Sequence, residues 1–70
     1  MKLISILIPA YNEEAVLDKL YTRLSALADT QKGYNFEFLF VNDGSKDKTL
    51  EVIKDFAEKD TRVSYVNLSR

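Results

Sequence analysis

Two short stretches hold the side chains best suited to chemistry: Pro9-Ala10-Tyr11-Asn12-Glu13-Glu14 and Asn42-Asp43-Gly44-Ser45. Asp43 follows the apolar run "FEFLFV". A carboxylate at that point can accept from the donor edge of a base, such as uracil N3–H or guanine N1–H and its amino group. Charge-assisted bonds of this kind are short and strong. The same residues are also good turn chemistry, and their spacing alone does not separate the two readings. Gly44 supplies a permissive backbone angle, and Ser45 reads as a helix cap. Tyr11 can hold a base on its ring or bond through its hydroxyl; it can equally cover the end of a core. Glu13 stands where it could accept from ribose hydroxyls or the base. Glu14 suits the positive end of a helix dipole. Pro9 and Ala10 offer little side chain and a rigid exit that lets backbone approach a ligand.

Composition narrows the chemistry. The chain has no cysteine and no histidine, so thiol nucleophiles, zinc fingers and imidazole acid–base catalysis are excluded. Its net charge is −1 without a basic cluster, which argues against nucleic acid. The loop after the first apolar run lacks the glycine-rich pattern that cradles phosphate. Glu13 and Glu14 stand where bare amides would bind pyrophosphate, and they would repel it. This end should therefore read the nucleoside, with the diphosphate handled elsewhere through a divalent metal. The chain has no D-x-D triplet, and "KDK" and "EKD" fall on or beside a predicted helix, so no metal site is expected within it. The apolar run Leu3–Ile8 is too short for a signal peptide, and no stretch reaches membrane-span length, which gives a cytoplasmic expectation.

These residues need elements to position them. The dense apolar run Leu3–Pro9 suits a strand buried on both faces. A helix is expected over residues 12–29, capped by Asn12, with Val16, Leu17, Leu20, Leu24 and Leu27 as its apolar stripe. Residues 36–41 form a second strand. A second helix over residues 46–60 presents Leu50, Ile53, Phe56 and Ala57, with Ser45 as its cap. Residues 62–68 form a third strand. The order β-α-β-α-β with short connections predicts an α/β fold: a parallel, half-Rossmann-like sheet of three strands and two helices. Ligands sit beyond the carboxyl ends of such strands. "PAYNEE" and "VNDGS" both fall there, so they converge on one edge.

In their order and spacing, "ISILIPAYNEE", "FEFLFVNDGSKDKTLEVI" and "VSYVNLSR" resemble the N-terminal segment of family 2 glycosyltransferases of the GT-A fold. The P-A-Y-N-E-E and N-D-G-S-x-D-x-T forms look most like the polyprenyl-phosphate branch, which includes dolichyl-phosphate mannose synthases and undecaprenyl-phosphate sugar transferases. The resemblance covers essentially the whole chain. It implies a UDP- or GDP-linked sugar donor and an inverting transfer. It places Pro9, Ala10, Tyr11 and Glu13 along the nucleoside pocket, with Asn12 shaping the turn. Val41 lends backbone near the base, and Asp43 matches the carboxylate that bonds it. Asn42 departs from the second aspartate that many relatives carry, which leaves one less negative charge beside the pocket.

By the same resemblance, the D-x-D that holds Mg2+ or Mn2+, the catalytic base and the acceptor region lie beyond the third strand. The expectation is a truncated domain over residues 1–70, inactive alone, with no catalytic residue of its own. Its parent would be an enzyme working at the cytoplasmic face of a membrane, on a lipid-phosphate or carbohydrate acceptor. The rival reading is a non-catalytic nucleotide-binding or receiver-like signalling module. A receiver needs an acidic pair after strand one and an aspartate after strand three, and "PAYN" and "NLSR" supply neither. A family sheet pairs strand one on both sides. Here Leu3–Ile8 would be a bare apolar edge, open to self-association.

Overall fold

Runs of β-branched, leucine and phenylalanine residues form one parallel sheet, and the segments between them form helices. The computed structural model describes residues 2–12, 14–44 and 47–68. The elements are β1 (Lys2–Ala10), α1 (Glu14–Thr30), β2 (Tyr34–Asp43), α2 (Thr49–Lys59) and β3 (Val63–Leu68). The sheet order is β1-β2-β3, all parallel, so the expected half of a Rossmann-like sheet is present.

Alternation along the strands sets the two faces. Ile8 and Ala10 of β1, Phe38 and Phe40 of β2, and Val63 of β3 point to one face and are buried. They pack with Leu17 and Ala28 of α1 and Ile53 and Phe56 of α2. Both helices therefore cover the same face. Each fully buried phenylalanine stabilises the fold by roughly 1.5–3 kcal/mol through the surface it removes from water. Phe40 and Phe56 meet at 5.9 Å, and Tyr21 stacks on Phe56 at 4.4 Å and 17°. The opposite face carries Leu7, Pro9, Leu39, Val41, Val66 and Leu68, of which Leu7 is 65% exposed.

Several sequence expectations shift. β2 is longer than residues 36–41 and takes in Asn42 and Asp43, so only Gly44 of "VNDGS" is seen to turn, with φ of 68°. Asn12, expected to cap α1, sits at φ 50°, a left-handed angle that asparagine tolerates, and α1 is described from Glu14, two residues later. Glu13 and Ser45 lie outside the described residues. The stripe of α1 is rotated as well. Leu17, Leu20, Tyr21, Leu24 and Ala28 face the core, while Val16 and Leu27 are about half exposed. Val16 and Leu27 lie eleven residues apart, three helical turns, and share a flank that the sheet does not reach. The face expected for α2 holds at Ile53, Phe56 and Ala57.

β1 is an edge strand among the described residues. The Phe38 N–H donates to Arg62 O at 2.8 Å, so even positions of β2 turn their backbone toward β3 and odd positions toward β1. Leu39 then bonds toward β1, and its register partner Leu7 turns its own N–H and C=O away. By the same alternation Leu3 and Ser5 face outward too. Pro9 falls on the outward side, where its missing N–H costs no ladder bond.

Candidate functional site

The register fixes how the two motif stretches meet. Pro9 lies opposite Val41, and Ala10 opposite Asn42. β2 runs one residue further to Asp43, which pairs with Leu68 of β3. Tyr11 leaves β1 next to that last residue and is half exposed. The carboxyl edge of the sheet thus brings Pro9, Tyr11, Val41 and Asp43 together.

Strand alternation divides the expected site residues between two faces. Pro9, Val41 and Asp43 belong to the open face, Pro9 exposed and the other two half-buried. Ala10 and Asn42 turn toward the helices, 1% and 2% exposed. Ala10 can therefore offer a ligand only its main chain. Asn12 follows Tyr11 at a left-handed angle, φ 50°.

Asn42 is an internal polar bridge. Its Nδ2 donates to Oδ1 of Asn67 at 2.8 Å, which ties the tips of β2 and β3. Its own Oδ1 is buried and has no hydrogen-bond partner among the described residues. A buried acceptor without a donor loses the hydration it had in the unfolded chain.

Sequence reasoning missed Asp47, which it read only as the acid of "KDK" beside a predicted helix. One carboxylate oxygen accepts from the Thr49 N–H at 3.0 Å and from the Thr49 hydroxyl, a fully buried side chain. The other accepts from the Glu14 N–H at 3.3 Å. The Thr49 hydroxyl bond is the leading cause that holds the Asp47 carboxyl below its ordinary value. Glu14 also has a larger role than dipole complementarity: its Oε1 accepts from the Lys48 N–H at 3.4 Å. The available signal was the spacing of Asp47 to Thr49, which allows a side chain to reach the amide two residues on.

The described residues contain no group of three or more Asp, Glu, His or Cys that could hold a metal ion. A concavity of about 470 Å³ lies at the opposite end of the sheet, lined in part by Leu3, Asp29, Asn35, Glu37 and Arg62. It is remote from the strand tips, and Arg62 in it is already paired with Asp60 and Asp29.

A parallel β-α-β-α-β unit is half of a Rossmann-like α/β sheet, the class of fold whose ligands sit beyond the carboxyl ends of the strands. Comparison with known proteins narrows it: residues 5–70 match the model of glycosyl transferase family 2, and the chain belongs to that family. It is 46% identical over 66 residues to an uncharacterized glycosyltransferase, YkcC, of Bacillus subtilis (strain 168), which covers 94% of this chain and 20% of the relative. It is 46% identical over 57 residues to an undecaprenyl-phosphate 4-deoxy-4-formamido-L-arabinose transferase of Aeromonas hydrophila, covering 81% of this chain and 17% of the relative. A dolichyl-phosphate beta-glucosyltransferase of Trichomonas vaginalis is 37% identical over 68 residues, 91% of this chain and 21% of the relative. The chain spans about a fifth of the length of these curated relatives.

Proposed function

We propose that this chain forms the nucleoside-binding part of the donor site of an inverting glycosyltransferase. The donor is a UDP- or GDP-linked sugar, and the acceptor is a polyprenyl phosphate. The observation that supports this reading is the meeting of Pro9, Val41 and Asp43 on one face of the sheet edge, with Tyr11 beside them.

The base lies along Pro9 and Val41, with Asp43 accepting from its N–H edge. Tyr11 covers it with its ring or bonds through its hydroxyl. Glu13 accepts from the ribose, Ala10 contributes main chain, and Asn12 sets the turn. In the whole enzyme, an acceptor phosphate oxygen attacks the anomeric carbon opposite the leaving group. The new O–C bond forms as the bond to the diphosphate breaks. The electron pair departs with the nucleoside diphosphate, and the anomeric centre inverts. A phosphate oxygen is ionised at neutral pH, so the attack needs no base from this chain. Carboxylates that could hold Mg2+ or Mn2+ are not grouped among the described residues.

The polyprenyl acceptor is supported by the names of the two relatives that act on undecaprenyl phosphate and dolichyl phosphate. Such an acceptor is membrane-anchored, so the whole enzyme would work at a membrane surface, with the cytoplasmic face as the proposed side. No helix of the described residues is long and apolar enough to cross one. The test is calorimetric titration of the chain with UDP and GDP, with and without Mn2+. Binding that is lost in Asp43→Ala supports the assignment. No binding at millimolar ligand, or binding untouched by that substitution, refutes it.

A further inference from the structure

The two segments that carry the site residues are locked together by a reciprocal pair of bonds. The Glu14 N–H, at the start of α1, donates to Asp47 Oδ2, and the Lys48 N–H, just ahead of α2, donates to Glu14 Oε1. Each helix start has amides without an intrahelical acceptor. One carboxylate, Asp47, serves amides on both helices, because its other oxygen takes the Thr49 N–H. Lys48, at the cap position of α2, contributes no side-chain bond.

We propose that Asp47 is a positioning residue for the nucleoside site. It fixes the turn that carries Tyr11 against the turn that follows Asp43. This inference rests on the nucleoside-binding reading above. Tyr11 is three residues before Glu14, and Asp43 is four residues before Asp47, so a shift at the tie reaches both. Gly44, at φ 68° in the left-handed region, lies between Asp43 and Asp47. With the tie in place, the two halves of the site keep one spacing before a ligand arrives, which lowers the ordering cost of binding.

The substitution Asp47→Asn separates the tie from the cap. The amide oxygen still accepts from Thr49, while its NH2 faces the Glu14 N–H, donor against donor. Asp47→Ala removes both, and Asp47→Glu restores a charged acceptor. Electrostatics alone predicts that loss of a negative charge near the site tightens binding of an anionic diphosphate. Positioning predicts the opposite sign, so direction distinguishes the two.

The test titrates neutral uridine and guanosine, and UDP and GDP, against the chain and its variants, alongside thermal midpoints and amide hydrogen exchange. Asp47→Asn is expected to weaken every binding ligand by about three- to tenfold, the loss of one hydrogen bond. Asp47→Glu should recover part of it, while the thermal midpoint of Asp47→Asn falls by several degrees, the cost of one hydrogen bond in a small domain. In the ligand-free chain, the Glu14 amide should exchange faster in Asp47→Asn. Unchanged exchange at Glu14 overturns the proposal whether or not a nucleotide binds. Equal or tighter binding by Asp47→Asn overturns it while leaving the nucleoside reading intact. Failure of the unsubstituted chain to bind any of the four ligands defeats the nucleoside reading and this inference with it.

Discussion

The Tyr21 hydroxyl donates to Asp60 Oδ2 at 2.6 Å, joining the middle of α1 to the turn that enters β3. Asp60 also accepts from the Arg62 guanidinium and the Arg62 N–H, and its side chain is 11% exposed. The Arg62 side chain in turn lies over the Phe38 ring, 5.2 Å from its centroid. A polar latch thus closes the end of the sheet opposite the candidate site.

That latch predicts acid sensitivity. The Arg62 side chain, first among the causes, holds the Asp60 carboxyl well below the usual carboxylate range. A depressed acid contributes stability above its unfolded value, near pH 4, and loses it as pH falls toward the folded value. Urea midpoints should therefore drop below about pH 4, and Asp60→Asn should flatten the part of that drop due to this residue. At neutral pH, Asp60→Asn is expected to cost about 1–3 kcal/mol. An unchanged acid profile in the variant would remove Asp60 from the account.

Tyr21→Phe isolates one bond of the latch. The ring stays stacked on Phe56, and only the hydroxyl is lost. The expected cost is about 1.5–3 kcal/mol, the range for a bond to a charged acceptor. A double-mutant cycle with Asp60→Asn should give a clear coupling energy. Additive losses would show that the two side chains act independently.

Asn42 makes a second pH prediction. In Asn42→Asp a carboxylate replaces an amide that is 2% exposed beside Asn67. Burial raises its folded value above the unfolded one, so the variant loses stability as pH rises past about 4. At low pH the neutral acid can donate to Asn67 as the amide did. Urea unfolding at pH 4 and pH 7 should show a penalty of about 1–3 kcal/mol that is larger at pH 7. The same penalty at both values would mean that shape, not charge, governs the position.

The free edge of β1 predicts self-association of the 70-residue chain. Leu3, Ser5 and Leu7 turn backbone outward with no strand partner among the described residues, and Leu3 and Leu7 are each more than 60% exposed. Sedimentation velocity should show association that grows with concentration. Ser5→Pro removes an outward N–H, leaves the backbone ladder to β2 in place at the loss of the exposed Ser5 Oγ bond to Glu37, and should reduce it. A monomer at every accessible concentration would refute the edge contact.

Much of the fold was legible in the chain. Apolar runs of strand length alternate with helical periodicity, and short connections leave a parallel sheet as the solution. The meeting of Tyr11 and Asp43 at one edge followed from that topology. Boundaries were less legible, because Asn42 and Asp43 have turn chemistry yet extend β2. Register carries them: Asn42 still has Ala10 and Asn67 as neighbours, so the ladder continues past the last apolar residue. The α1 stripe was misplaced by one flank because periodicity gives two adjacent apolar rows and does not say which the sheet covers.

Local chemistry therefore determined which residues are available: a carboxylate at the end of the second apolar run, an aromatic after the first, and no thiol, imidazole or phosphate cradle. Tertiary structure decided which of them share a face. Strand alternation sent Asp43 to the open side and Asn42 inward, one residue apart. Only the folded chain brings Asp47 within reach of Glu14, because a contact across 33 residues depends on two helix starts lying side by side.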